Sequence, residues 1–492
     1  MHSRTVKNST INMTEGPLFG KIIKFILPLI ATSILQLLYN AADVIVVGKF
    51  AGDTALAAVG STSALINLIF NVFIGLGNGA SVCAANAIGA KDDARVKRYV
   101  HTALAVSFIG GVITMIVGFF LAKPMLALMN TDPTVLDLAT LYVKIFFLGA
   151  PANLVFNFVS GLLRASGDTK RPLYILSLSG IVNVLLNLLF VIVFHMSVAG
   201  VAIATIVSQY ISVVLVLIHI MRLNTNLKYT LKETRIHKKE FIDILKLGIP
   251  SGFQGMMFSL SNVMVQSSIN TYARITEDAA KITMGVAAEG LSASIIAGNT
   301  AAGNIEGFIW ASMNTLHQAA QTFTSQNLGA GKVERVKKVL GHSLLIVTVI
   351  GIVMGIVANI FDAPLLSLYT SRDNSTAVIE AGISRLRVIA ATYFLCGIMD
   401  VFCGVLRGLQ YSISSMIISL VSICAFRIIW LETIFKASPT ATNIYITYPI
   451  SWILATAAFL ILYVIAYKRT KKRQMMRLPQ VELPKERKNV TV

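Results

Sequence analysis

Acidic residues are scarce in this chain. Asp and Glu number 23 among 492 residues, against 42 Lys and Arg, and the four charged types together make up only 13%. Soluble domains carry about a quarter of their residues as charge, so a water-soluble globular fold is excluded. A hydrophobic content of 55% and a mean hydropathy of +0.72 describe a polytopic membrane protein instead. Cysteine is rare too: Cys83, Cys396, Cys403 and Cys424 all fall in apolar stretches, which supports neither a disulfide framework nor a CxxC metal site. The catalytic spacings GxxxxGK[ST] and HExxH are missing. "RASGDTK" (164–170) has the wrong spacing for a phosphate loop, and His101, His195, His219 and His317 stand on different apolar stretches or their ends. ATP hydrolysis and an intramembrane enzyme are therefore not expected. The N-terminus has polar residues from His2 to Glu15 and no short apolar run with a small-residue cleavage site, so no cleaved signal peptide is expected.

A helix needs about 20 mostly apolar residues to cross the hydrocarbon core. Twelve such spans are expected, at 24–47, 56–80, 99–121, 139–163, 172–194, 198–221, 246–270, 295–325, 341–361, 384–406, 413–435 and 447–467. The basic residues gather in alternate connections: "AKDDARVKR" (90–98), "RASGDTKR" (164–171), the 222–246 stretch, "GKVERVKK" (331–338) and "YKRTKKRQMMR" (467–477). The positive-inside rule then places both termini in the cytoplasm of a multi-pass protein of the plasma membrane. The net charge of +19 is thus a topology signal, with attraction to anionic lipid headgroups, and no nucleic-acid partner is expected.

The chain also repeats itself. "AIGAKDDARVKR" (87–98) and "NLGAGKVERVKK" (327–338) match at an offset of 240, "FLAKPMLALM" (120–129) matches "IFDAPLLSLY" (360–369), and "SGLLRASG" (160–167) matches "CGVLRGLQ" (403–410). "ILPLI" (26–30) matches "LGIPS" (247–251) at 222, with Asn40 and Asn262 each twelve residues past the proline. The growth in offset locates an insertion near 273–290, expected as an outer loop or short hairpin. The fold class is an all-α integral membrane protein of twelve transmembrane helices, in two pseudo-symmetric six-helix lobes around a central cleft. The expected divisions are an N-terminal segment 1–20, a first lobe 21–221, a linker 222–245 with some amphipathic helix, a second lobe 246–467 and a basic tail 468–492.

These residues resemble the multidrug and toxic compound extrusion (MATE) family. The "LP" twelve residues before Asn40, the "GAKD" and "GAGK" turns and the "LLRASGDTKRP" and "VLRGLQ" helix ends carry the likeness over about residues 15–470. The resemblance implies a functional monomer that exports cationic, amphipathic organic compounds in antiport with Na⁺ or H⁺, with no cofactor beyond the coupling ion. A lipid-linked saccharide or lipid flippase of the same superfamily is the alternative; it predicts a cleft lined by several Arg or Lys, and only Arg427, Arg385, Arg387 and Lys144 lie in or near spans.

Charges inside the spans are few. Asp43 lies near the outer end of the first span, and an ionised carboxylate at the bilayer centre costs about 3 kcal/mol, less toward the interface. Tyr39 shares its face one turn inward. Counting depth brings Asn183, Asn187 and Thr205 to the layer of Asp43. Such oxygens suit Na⁺ or a protonatable acid, with Asp43, Asn183 and Asn187 as the expected Na⁺ ligands. The resemblance implies the same role for Tyr39, Asp43, Asn183, Asn187 and Thr205. Asn187 departs from family members with an acid there, which leaves Na⁺ and H⁺ both open, and interhelical hydrogen bonding competes as an explanation of the asparagines.

In the second lobe, matching depths predict an ion pair between Glu306 and Arg427. Asp400 is expected either to bind substrate cations or to hydrogen-bond within its lobe. By position, Gln36, Asn40, Phe70, Met257, Asn262 and Trp310, with Phe73, Met256, Phe258 and Met313, are candidates for the cleft, against the competing reading that they pack inside the lobes or face lipid.

Overall fold

The computed structural model describes residues 10–129, 131–284, 290–369 and 375–476, and every regular element among them is helical. In order these are α1 Leu18–Phe50, α2 Asp53–Gly89, α3 Asp93–Leu128, α4 Pro133–Leu148, α5 Ala150–Ala165, α6 Lys170–Leu188, α7 Ser197–Met221, α8 Lys238–Met284, α9 Leu291–Gly329, α10 Val333–Ile360, α11 Asp362–Ser367, α12 Ser375–Gly408, α13 Ser412–Ser419, α14 Phe426–Trp430, α15 Ala441–Tyr445 and α16 Thr447–Met475. Nine spans among the described residues are long and apolar enough to cross a membrane, or ten if α4 and α5, bent by 48° at Gly149, count as one. With the long helices α8 and α9, these make the twelve-helix, two-lobe fold. Neither α8 nor α9 is apolar enough along its length to count among those spans.

Most elements outrun their expected bounds because polar ends continue the helix beyond the apolar stretch. The largest case is α8, with 47 residues, a rod of about 70 Å against a hydrocarbon core of about 30 Å. It begins at Lys238, inside the stretch expected as linker. It runs through most of the 273–290 insertion, and the Glu277 carboxylate accepts the Ser292 N–H of α9 at 2.7 Å, so α8 and α9 form a projecting helical hairpin; residues 285–289 lie outside the described residues. Pro28 and Pro250 sit inside unbroken helices, whereas Pro151 opens α5 just after the bend. The eleventh expected span is α13 and α14 joined and followed by π turns at Leu420–Ala425 and Leu431–Phe435. Another π turn, Leu189–Val193, begins two residues after Asn187.

Packing crosses the boundary between the two repeats. Met13, Leu18, Ile22, Phe25, Ile26 and Leu29 are buried in one core with residues of α9, α10, α12 and α16, and Phe25 meets Phe323 edge-on at 5.5 Å. Reciprocally, Ile244 and Leu247 of α8 are buried with residues of α2, α3, α5 and α7. The first helix of each repeat therefore leans on the opposite lobe at one end.

That end is closed. A Cβ on Gly75 would fall 2.1 Å from the Gly252 nitrogen, and one on Gly79 2.7 Å from the Gly248 nitrogen, so α2 and α8 touch backbone to backbone. Nearer the termini, a Cβ on Gly89 would meet the Gln326 carbonyl at 1.9 Å, and one on Gly329 the Asn86 carbonyl at 1.9 Å. Positions 86 and 326, like 89 and 329, differ by the repeat offset of 240, so the pseudo-twofold axis passes through this crossing. Ser325 Oγ donates to Val82 O (2.8 Å), Asn86 Nδ2 to Ser325 O (3.4 Å) and Gln326 Nε2 to Ala165 O (2.6 Å). The seal extends up to Asn71 Nδ2, which donates to Ser259 Oγ at 3.2 Å. Beyond that level no hydrogen bond joins the lobes among the described residues, and Gln36, Asn40 and Asn262 are exposed. The cleft opens toward the face opposite residues 10 and 476.

Candidate functional site: a cation cluster in the first lobe

Three helices build the site. Asp43 stands seven residues before α1 ends at Phe50. Asn183 and Asn187 share one face of α6 and are 5% and 0% exposed; Thr205 comes from α7. Asn187 Nδ2 donates to Asp43 Oδ1 in a short contact and to Asn183 Oδ1 at 3.3 Å. Asn183 Nδ2 donates to Thr205 Oγ at 3.4 Å, and Thr205 Oγ lies 3.5 Å from Asp43 Oδ2.

The donor count is short. Thr205 has one hydroxyl proton, and its better partner is the Val201 carbonyl at 2.9 Å. Asp43 Oδ2 then faces an oxygen lone pair, and Asn187 Oδ1 is buried with no hydrogen-bond partner. No Lys, Arg or His comes within salt-bridge distance of Asp43 among the described residues. A carboxylate, an amide oxygen and a hydroxyl oxygen converge without enough protons between them, which a cation or an added proton relieves.

Tyr39 is not part of this cluster. Its hydroxyl donates to Ser177 O at 3.2 Å, and its ring lies where a Cβ on Gly180 would be, 1.8 Å from the ring carbon. The spacing gave the direction of the side chain, but the ring carries the hydroxyl past the cluster along α6.

In the second lobe the expected Glu306–Arg427 pair does not form. Glu306 is held by Arg385 of α12 through two parallel bonds of 2.8 Å, all buried. Arg427 donates from Nε to Ser451 Oγ at 3.1 Å, with its guanidinium 4.1 Å from the centre of the Tyr448 ring. The expected span 384–406 placed Arg385 at the membrane edge; α12 actually starts at Ser375, which puts Arg385 at the depth of Glu306. Deeper in the lobe a second network joins Arg407 to Gln254 (2.6 Å), Gln254 to Ser419 (2.8 Å) and His317 Nδ1 to the Asp400 carbonyl (2.8 Å). Asp400 is half-buried, and no polar contact of its carboxylate points to a bound cation.

The cleft candidates divide. Gln36, Asn40, Asn262 and Trp310 are exposed, the last by 48%, and Met257 is half-buried. Phe70 is not in the cleft: it is 6% exposed and packs on Phe146 and Phe147 inside the first lobe. Met313, fully buried, packs within the second.

Two crossed helical lobes, a cleft open to one face and an uncompensated acid above the seal define a membrane transporter, with no arrangement for chemistry on a substrate. The family model for MatE matches residues 28–189 and 272–430, and the chain belongs to that family. It is 26% identical over 392 residues to the "Probable multidrug resistance protein YoeA" of Bacillus subtilis, covering 78% of this chain and 80% of that one. It is 25% identical to a "FAD transporter" of Shewanella oneidensis, covering 83% and 86%. Among solved structures it superposes on an outward-facing MATE multidrug resistance transporter with a TM-score of 0.82 at 22% identity, covering 96% of this chain and 100% of that one. The protein is thus a multidrug-efflux-type transporter with membrane-spanning helices, and not an enzyme.

Proposed function

We propose that the protein exports cationic, amphipathic organic compounds by alternating access, in antiport with Na⁺ or H⁺ bound at Asp43. The observation that carries this reading is the Asp43–Asn187–Asn183–Thr205 cluster, in which Asp43 Oδ2 and Asn187 Oδ1 are short of donors and no basic partner is near. The coupling ion binds there while the cleft is open to the outside. Its binding must differ between the outward-open and inward-open states, because a ligand with equal affinity for both shifts nothing. A membrane potential adds about 2.3 kcal/mol per charge per 100 mV.

The basic face, with both termini, is the cytoplasmic one in this reading, and the membrane is the plasma membrane. Gln36, Asn40, Asn262 and Trp310 supply polar and aromatic surface for the cargo. The buried state of Arg385 and Arg407 and the stacking of Arg427 on Tyr448 speak against a pyrophosphate-holding flippase cleft. The test is transport in proteoliposomes under separately imposed Na⁺ and H⁺ gradients, with organic cations and FAD as cargoes. Export of cations driven by one gradient supports the proposal. Gradient-independent movement, or FAD as the sole cargo, defeats it.

A further inference from the structure

The repeated stretches 87–98 and 327–338 take no part in the cation cluster, yet each grips the segment that leads into the first helix of the opposite half. On one side Arg95 reaches Asp243 at 3.3 Å and the Tyr99 hydroxyl at 3.0 Å. Tyr99 donates to Asp243 at 2.8 Å, and Arg98 Nε to the buried Glu240 at 2.6 Å. Asp243 and Glu240 belong to the start of α8. On the other side Arg335 donates to Gly16 O at 3.0 Å and to Asn327 Oδ1 at 3.1 Å. Asn327 Nδ2 donates to Met13 O at 3.2 Å and Lys332 Nζ to Thr14 O at 3.1 Å. Met13 is fully buried, and Ile11 N–H ties the same segment to Gly167 O of the first half at 3.3 Å. Arg95 and Arg335 differ by 240 positions, the repeat offset.

We propose that Arg95 and Arg335 are a symmetry-related pair of gate clamps, which hold the basic face shut by binding the lead-in segments of α8 and α1. The inference rests on the alternating-access reading. Each helix also touches its own half, α1 against α6 and α8 against α13. When the lobes part at the basic face, each lead-in segment must leave the opposite lobe, and these are the contacts that break. The two clamps differ in kind: one holds carboxylates, the other backbone carbonyls.

Cys83 is a built-in reporter. It is 4% exposed and packs in the same core as Ile244 and Leu247 of α8. In a chain with Cys396, Cys403 and Cys424 replaced by Ala, its alkylation by a membrane-impermeant maleimide is measured in vesicles of each orientation, without substrate or gradient. Arg95→Ala should raise labelling locally. Arg335→Ala should raise it about tenfold from the basic face alone, the shift expected from losing a charge-assisted bond that one state makes and the other lacks. Arg335→Lys should restore protection. Unchanged protection in Arg335→Ala, or labelling that rises equally from both faces through general loosening, overturns the proposal. Because no transport is measured, this failure is separate from failure of the antiport reading.

Discussion

The two lobes answer the same problem, an acid buried in the membrane, in opposite ways. In the second lobe Glu306 is met by Arg385 through two parallel hydrogen bonds, and the pair is electrically closed. In the first lobe Asp43 is met by an amide, and by a hydroxyl whose proton goes elsewhere. A closed pair stabilises one arrangement of helices; an acid left short of protons has capacity for a mobile cation. On the proposed reading the repeated halves carry separate duties, one to hold and one to bind.

The contrast breaks most sharply at Asp43. Asp43→Asn should insert and fold but lose all gradient dependence in proteoliposomes, because the amide cannot bind the ion differently in the two states. Gradient-driven export that survives would end the assignment. Next in size, Glu306→Gln should lower stability by about 3–5 kcal/mol by stranding the Arg385 charge, and Glu306→Leu with Arg385→Met should recover most of it. Thermal unfolding in detergent reads both, and a single variant as stable as the parent would contradict a closed pair. Asn187→Ala should weaken the ion dependence of transport about tenfold, the scale of one lost hydrogen bond to a charged group; an unaltered ion titration would reduce Asn187 to packing. Smallest, Tyr448→Leu should cost about 1–2 kcal/mol through the lost contact with Arg427 and leave transport unchanged, so a transport defect would move Arg427 into the cleft.

Much of this was legible in the residues. Depth counted along apolar stretches brought Asp43, Asn183, Asn187 and Thr205 together, because helices of fixed rise in a slab of fixed thickness turn sequence position into height. The same arithmetic failed for Glu306, since the true start of α12 lies nine residues before the apolar stretch begins, and height counted from the wrong end hides Arg385. Phe70 and Met313 were misplaced for a different reason: hydropathy does not tell a cleft from a core. The exchange of α1 and α8 between lobes had no local signal at all, because Ile22, Phe25, Ile244 and Leu247 are apolar whichever lobe they bury against.

The crossing of Gly89 on Gln326 and of Gly329 on Asn86 makes each half the mould in which the other is cast. Duplicated segments are free to drift apart wherever they meet only lipid, but here a single added methyl on either copy collides with the main chain of its twin. Any descendant that enlarges one glycine must reshape the partner strand of its history in the same stroke, so the two copies stay tied together at the point where they first had to fit.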